Sequence, residues 1–435
     1  MSALPDAMIY FAVLAAIWAF YAWRRNQQSK ASRATLQANQ EAGLTEPMSL
    51  HPVVDPNLCI GSGSCVSACP EKNVLGMLDG KAELISPADC IGHGACAKEC
   101  PVDAITLVLG TERRGIDVPA LDPDFQTNVP GIFVAGELGG MGLIRNAIEQ
   151  GRQAMDSIRA HVATNQGCDL DVVIVGAGPA GFSASLAAMK HGLRCATLDQ
   201  ETLGGTVAHY PRGKIVMTAP AELPMVGKVK IRETTKEALI EFWQSVEKKT
   251  QVKINYGERV DSIQSLAQGF EVKSTKTTYQ TNAVLLAIGR RGTPRKLGVP
   301  GEDQTKVVYR LTDPDQYRGQ AVLVVGGGDS ALEAATVISD VVGSEVTLSY
   351  RSAAFSRAKQ KNREKVDEAA NFRGLRVMME SKVLEVRPSA VILETADGVE
   401  EIANDAVIVC AGGVLPNGFL ESIGVELRTA RGEPL

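Results

Sequence analysis

The sequence predicts an α/β protein: two Rossmann-like βαβ domains with parallel sheets, a small cysteine-rich α+β domain and one N-terminal transmembrane helix. Three observations predict it. Two strand–glycine turn–helix units begin at Asp171 and Ala321. Six of the nine cysteines fall between Cys59 and Cys100. An apolar run fills residues 7–23, and Arg24, Arg25, Lys30 and Arg33 follow it. At 435 residues the chain exceeds one ordinary core, so several domains are expected. A net charge of −5 and only 5% aromatic residues argue against nucleic acid as a partner.

The apolar run comes first. Tyr10, Trp18, Tyr21 and Trp23 suit a water–lipid boundary, and the cations lie on the C-terminal side. The expected anchor is residues 4–25, single-pass, with the rest of the chain cytoplasmic. A signal peptide fits poorly, because the charges follow the apolar run and no small-residue cleavage pattern appears. The run is near the short limit for a span, so an interfacial helix stays open. Residues 26–49, polar and Ala/Gln-rich, read as a helical or loose linker.

The cysteine-rich segment, residues 50–109, repeats one pattern. Cys59, Cys65, Cys69 and Pro70 are matched by Cys90, Cys96, Cys100 and Pro101. This resembles the C-x2-C-x2-C-x3-C-P run of two-cluster bacterial ferredoxins, whose last Cys serves the other cluster. The second Cys slot is Ser62 in one run and His93 in the other. The resemblance implies two sites: Cys59, Cys65 and Cys100 beside Ser62, and Cys90, Cys96 and Cys69 beside His93. It implies 4Fe-4S clusters, with a 3Fe-4S cluster open at the Ser62 site. His93 is expected as a ligand and Ser62 is not. A zinc site of three Cys and one His is formally open for the second set. It would not explain the matching trio in the first run.

The first βαβ unit holds Gly176, Gly178 and Gly181, with Pro179 and Ala180 between them. A buried strand precedes these glycines and a helix follows, which is the dinucleotide-binding context. Gly176 makes the turn, Gly178 admits the pyrophosphate and Gly181 lets helix and strand approach. Asp199, at the end of the next strand, is placed to bond a ribose hydroxyl. The second unit carries Gly326, Gly328, Asp329, Ser330 and Ala331. Its second strand ends at Arg351 rather than an acid, and Arg357 and Lys359 follow, which favours NADP(H) over NAD(H).

Together these residues resemble the thioredoxin reductase-like flavoproteins over most of residues 169–435. Leu203, Gly204 and Gly205 resemble their flavin loop. The strand ending at Gly289 and the segment from Cys410 through Gly412 to Pro416 resemble their domain junctions. The resemblance implies FAD as cofactor and adds Val260 to its contacts. The family's redox C-x-x-C would fall in residues 307–320, which contain no Cys. Dithiol chemistry of that kind is therefore excluded. The chain looks more like the ferredoxin–NADP reductase and bacillithiol reductase branches.

One family piece stands in an unusual place. The flavin segment that closes these proteins is similar to Thr127 through Gly136 and Glu137 here, upstream of the first βαβ unit. This implies a circular permutation, with Glu137 replacing the family Asp. The expected divisions are 110–166 for the displaced segment, 169–295 for FAD, 296–415 for NAD(P)H and 416–435 for the return to the FAD domain.

The expected activity is electron transfer between NADPH, FAD and the clusters. The expected partner is a ferredoxin, a cytochrome or a quinone-linked complex at the membrane, and a homodimer is a compatible assembly. No side chain is required as a general acid or base. Reduction of a small substrate at the flavin, or a redox-sensing scaffold, are the competing readings.

Overall fold

The computed structural model describes residues 3–434 apart from 48–49, 72, 91, 93, 141, 165–166, 218–219, 232, 291 and 357. The chain forms two compact units, Met1–Gly115 with Arg431–Leu435, and Ile116–Ala430.

The first unit begins with one continuous helix, Ala3–Glu41. The expected linker from residue 26 is thus helical as far as Glu41. It lies on the hairpin Leu75–Leu78 and Lys81–Leu84 through short polar side chains. Arg33 pairs with Asp79 at 2.7 Å, and the buried Asn39 amide donates to the Ile85 carbonyl at 2.9 Å. Ser32 fills the space over Gly76, where a Cβ would lie 2.6 Å from its Oγ. Earlier in this helix, Tyr10, Phe11, Leu14, Ile17, Trp18, Tyr21 and Trp23 are all exposed. Among the described residues, no helix is long and apolar enough to cross a membrane.

A three-stranded antiparallel sheet completes this unit, with Ile105–Leu109 between Leu50–Val54 and Glu433–Pro434. Residues 431–434 therefore join the cysteine-rich unit, while the earlier part of the expected return segment, 416–430, lies in the second unit.

The second unit is built on two main sheets, the first mixed and the second parallel. In the first, Leu170–Val175 lies between Cys195–Asp199 and Thr278–Leu286, and Ile254–Tyr256 flanks Cys195–Asp199. Val172, Val173 and Ile174 are fully buried, as expected of a strand covered on both faces. Ile132–Val134 pairs in parallel with the end of Thr278–Leu286, so residues upstream of the first βαβ unit extend its sheet. The helix Ile144–Thr164 carries Ala147, Gly151, Ala154, Met155, Ile158 and Val162 at helical spacing. All but Gly151, with the small side chains of the helix Pro179–Lys190, form one hydrophobic core. Burial of Met155 and Ile158 contributes about 1.5–3 kcal/mol each.

The second sheet orders Val307–Val308, Ala406–Val409, Ala321–Val325, Glu345–Ser349 and Arg376–Met378. Its neighbouring pairs are all parallel. Beyond it, Leu427–Ala430 pairs antiparallel with Ile116–Pro119.

Candidate cofactor sites

The cysteine loops fold as two copies of one turn. Gly63 and Gly94 each adopt a left-handed conformation, φ 72°, immediately before the short helices Ser64–Ala68 and Ala95–Lys98. Left-handed backbone suits Gly, and each turn directs the following Cys inward.

The six thiols gather in two groups. Cys59, Cys65 and Cys100 line one cavity together with Ser62. Cys69, Cys90 and Cys96 line a second with Gly92, Gly94 and Glu71. Each run thus lends its last Cys to the other group. His93 lies outside the described residues. Burial pushes the Cys65, Cys69 and Cys96 thiols up, and takes Cys90 to about 11. The backbone N–H groups of Val66 and Cys65 oppose this at Cys65. The Ala104 N–H donates to the Cys100 sulfur at 3.3 Å. Among the described residues, no three His, Cys, Asp or Glu converge tightly enough to hold a single metal ion. Thiols ringing a cavity, with N–H groups aimed at sulfur, are the donor set of an iron–sulfur cluster.

The dinucleotide cleft lies in the second unit. It is a cavity of about 1170 Å³ lined by Gly136, Glu137, Gly176, Gly178, Pro179, Ala180, Asp199, Gly205, Val260 and Gly289. That volume exceeds ordinary small-ligand pockets of roughly 300–1,000 Å³, as an extended dinucleotide requires. Gly178 caps the helix Pro179–Lys190, whose Pro at the first turn leaves the free N–H groups to the ligand. Gly176 has no room for a side chain, since a Cβ would lie 2.5 Å from the Ala287 carbonyl oxygen. Gly181 stands behind the turn, and its Cβ would meet the Gly176 carbonyl oxygen at 1.8 Å. Gly204 packs against Ile240 and Trp243 beneath the cleft.

Asp199 is buried, which pushes its carboxyl up, while two backbone N–H groups hold it down. It accepts from Ala177 at 2.6 Å and from Glu201 at 2.8 Å, so it fixes the glycine turn as well as facing the cleft. Sequence reasoning did not single out Tyr210, Arg310, Gln316, Tyr317 and Phe419, which also line the cavity. Arg310 bonds to His209 at 2.7 Å and lies 3.4 Å from Glu201, so it ties together segments distant in sequence. These residues come from distant segments with no shared motif.

The second glycine turn lies away from this cavity. Asp329 accepts from the Lys359 N–H at 2.8 Å and from Asn362 at 2.7 Å, and so braces the next helix. Ser330 follows it in the first turn of Asp329–Ser339. The Tyr350 ring occupies the space beside Gly327, between Gly326 and Gly328, and stacks on Phe355 at 5.5 Å. Arg351 is exposed directly after it. Arg357 lies outside the described residues. Gly412 closes the domain, accepting from the Arg295 N–H at 2.9 Å.

Comparison with known proteins follows this division. A family described as pyridine nucleotide-disulphide oxidoreductase matches residues 173–435. A family described as 4Fe-4S dicluster domain matches residues 51–101. A ferredoxin–NADP reductase of Ignicoccus hospitalis is 29% identical over 268 residues, covering 59% of this chain and 82% of its own. The bacilliredoxin reductase Bdr of Bacillus subtilis is 26% identical over 60% of this chain and 82% of its own. In fold, the chain is similar to the bacillithiol disulfide reductase Bdr of Staphylococcus aureus, with TM-score 0.53 and 23% identity. That match covers 59% of this chain and 80% of the other.

Proposed function

The chain belongs to the pyridine nucleotide-disulphide oxidoreductase family and is an FAD-dependent enzyme with a 4Fe-4S dicluster domain, and on that premise we propose that it moves electrons between NADPH and a redox partner through FAD and two clusters. One observation carries the reading. A single chain holds a dinucleotide cleft and two separate rings of three thiols. When bound, the flavin supplies exchange between a two-electron hydride donor and one-electron acceptors. The residues bind and orient. The helix beginning at Pro179 favours the pyrophosphate, and Gly178 admits it. Asp199 holds the turn in place, and Glu137 faces the cleft from the upstream segment. Arg351 offers a cation for a 2′-phosphate. Cys59, Cys65 and Cys100 bind one cluster, and Cys69, Cys90 and Cys96 the other. Four cysteines would be usual for each, so Ser62 marks a centre that is three-iron or has an open iron.

Two finer readings accompany this one. Circular permutation is supported by the strand pair Ile116–Pro119 and Leu427–Ala430. Ile116 and Ala430 face one another in register, where a hairpin turn would otherwise close. Attachment to the membrane, with the redox units cytoplasmic, is supported by the exposed apolar residues of 10–23 and the Arg residues that follow.

An anaerobic NADPH titration tests the function. The flavin alone takes up about one equivalent, and flavin with two one-electron centres takes up about two. An end point at one equivalent, with unchanged cluster absorbance, would overturn the relay. Reduction of a small disulfide at the flavin is the second reading, since one relative is named a bacilliredoxin reductase. It predicts substrate-dependent NADPH oxidation that survives loss of the cluster cysteines.

A further inference from the structure

The two thiol groups stand in different electrostatic surroundings. Arg25 reaches from the N-terminal helix to the loop that carries Cys59 and Ser62. Its Nη2 lies 2.5 Å from where a Cβ on Gly80 would sit and 3.4 Å from the same point on Gly61. Lys81 adds a second cation, donating to the Cys59 carbonyl at 2.5 Å. Two carboxylates of this region have partners of their own. Asp79 is held by Arg33 at 2.7 Å, and Asp55 accepts from the Asn57 N–H at 2.8 Å. Around the second group the sign reverses. Glu71 lines the cavity of Cys69, Cys90 and Cys96.

An electron added to a cluster is stabilised by neighbouring cations and opposed by a carboxylate. We infer that Arg25 and Lys81 hold the reduction potential of the centre bound by Cys59, Cys65 and Cys100 above that of the centre bound by Cys69, Cys90 and Cys96. This rests on the reading that both thiol groups bind clusters. One electron leaves the second centre, which is oxidised, and one reaches the first, which is reduced. No bond or proton is exchanged. The electron therefore settles on the centre beneath the N-terminal helix. Arg25 acts here as a positioning residue, and the helix is part of the electron path's tuning.

The test uses the full chain, reconstituted anaerobically with iron and sulfide. Each centre's midpoint potential is followed by electron paramagnetic resonance. Ser62→Cys identifies the first centre by changing its spectrum alone. Arg25→Gln should shift the first midpoint downward and leave the second in place. Arg25→Lys should restore it. Glu71→Gln should raise the second midpoint only. Asn39→Ala loosens the same helix without changing any charge, and should leave both midpoints unchanged. Loaded centres whose potentials ignore Arg25→Gln, or that shift equally with Asn39→Ala, would overturn this inference alone. A chain that takes up no iron and sulfide would overturn the functional reading with it.

Discussion

Gly151 meets the backbone at Ala180: a Cβ on Gly151 would lie 2.0 Å from the Ala180 carbonyl oxygen. The contact joins the helix Ile144–Thr164 to the helix that presents its N-terminus to the dinucleotide cleft. Residues ahead of the first βαβ unit thus set the position of its glycine turn. Gly151→Val should force the helices apart, lowering stability by about 1–3 kcal/mol. Bound flavin per chain should fall with it. A thermal melt and the flavin-to-protein absorbance ratio check this, and a variant unchanged in both would contradict the packing.

The crossed cysteines make a prediction that sequence order alone would not. Cys69 belongs with Cys90 and Cys96, and Cys100 with Cys59 and Cys65. Cys69→Ala should therefore abolish the same paramagnetic signal as Cys90→Ala, and Cys100→Ala the signal lost in Cys59→Ala. Loss of one signal in Cys59→Ala and Cys69→Ala together would assign each run to its own centre.

Arg351 follows the strand Glu345–Ser349 by two residues and is exposed. A charge-assisted bond to a 2′-phosphate contributes about 1.5–3 kcal/mol. Arg351→Gln should then raise KM for NADPH about tenfold or more and leave NADH nearly unaffected. Steady-state kinetics with both nucleotides decide it. Equal effects on the two would remove Arg351 from phosphate recognition.

Asp171 and Arg194 tie the first strand of the FAD domain to the second. The Arg194 guanidinium bonds the carboxylate at 2.6 Å and holds it below the usual carboxylate range. A depressed folded pKa stabilises the fold above the unfolded value, near 3.9, and that contribution is lost as pH falls through the folded value. Arg194 is half exposed, so solvent screens the pair and its contribution is small. Asp171→Asn should unfold at lower denaturant than the parent at pH 7. The difference should close as pH falls below about 4. A difference that persists at pH 2 would give the residue another role.

Motifs with a fixed local geometry were legible in the sequence. The spacing of Cys59, Cys65 and Cys69 against Cys90, Cys96 and Cys100 anticipates the two groupings, because each turn needs its glycines and inward thiols at set intervals. Gly176, Gly178 and Gly181 were legible for the same reason. The strand Ile132–Val134 was legible only through likeness to a family segment, since three apolar residues carry no periodic signal. Other features depend on distant contacts. The helix from residue 26 to Glu41 reads as a linker because Ser32, Arg33 and Asn39 are polar, yet those residues hold the hairpin. Glu433–Pro434 is too short to read as a strand until Leu109 and Val108 pair with it. Arg25 belongs, by sequence, to the basic flank of an apolar run. Its position over Gly61 and Gly80 is purely tertiary.

The central claim is that reducing equivalents cross from the flavin to the thiol-bound centres within this one chain. Its most direct measurement mixes NADPH anaerobically with the reconstituted full chain, freezes samples at successive times, and records flavin absorbance and paramagnetic spectra together. Flavin bleaching followed by the rise of cluster signals, in the same molecules and without added mediator, is the predicted result. A flavin that bleaches fully while both centres stay oxidised would contradict it.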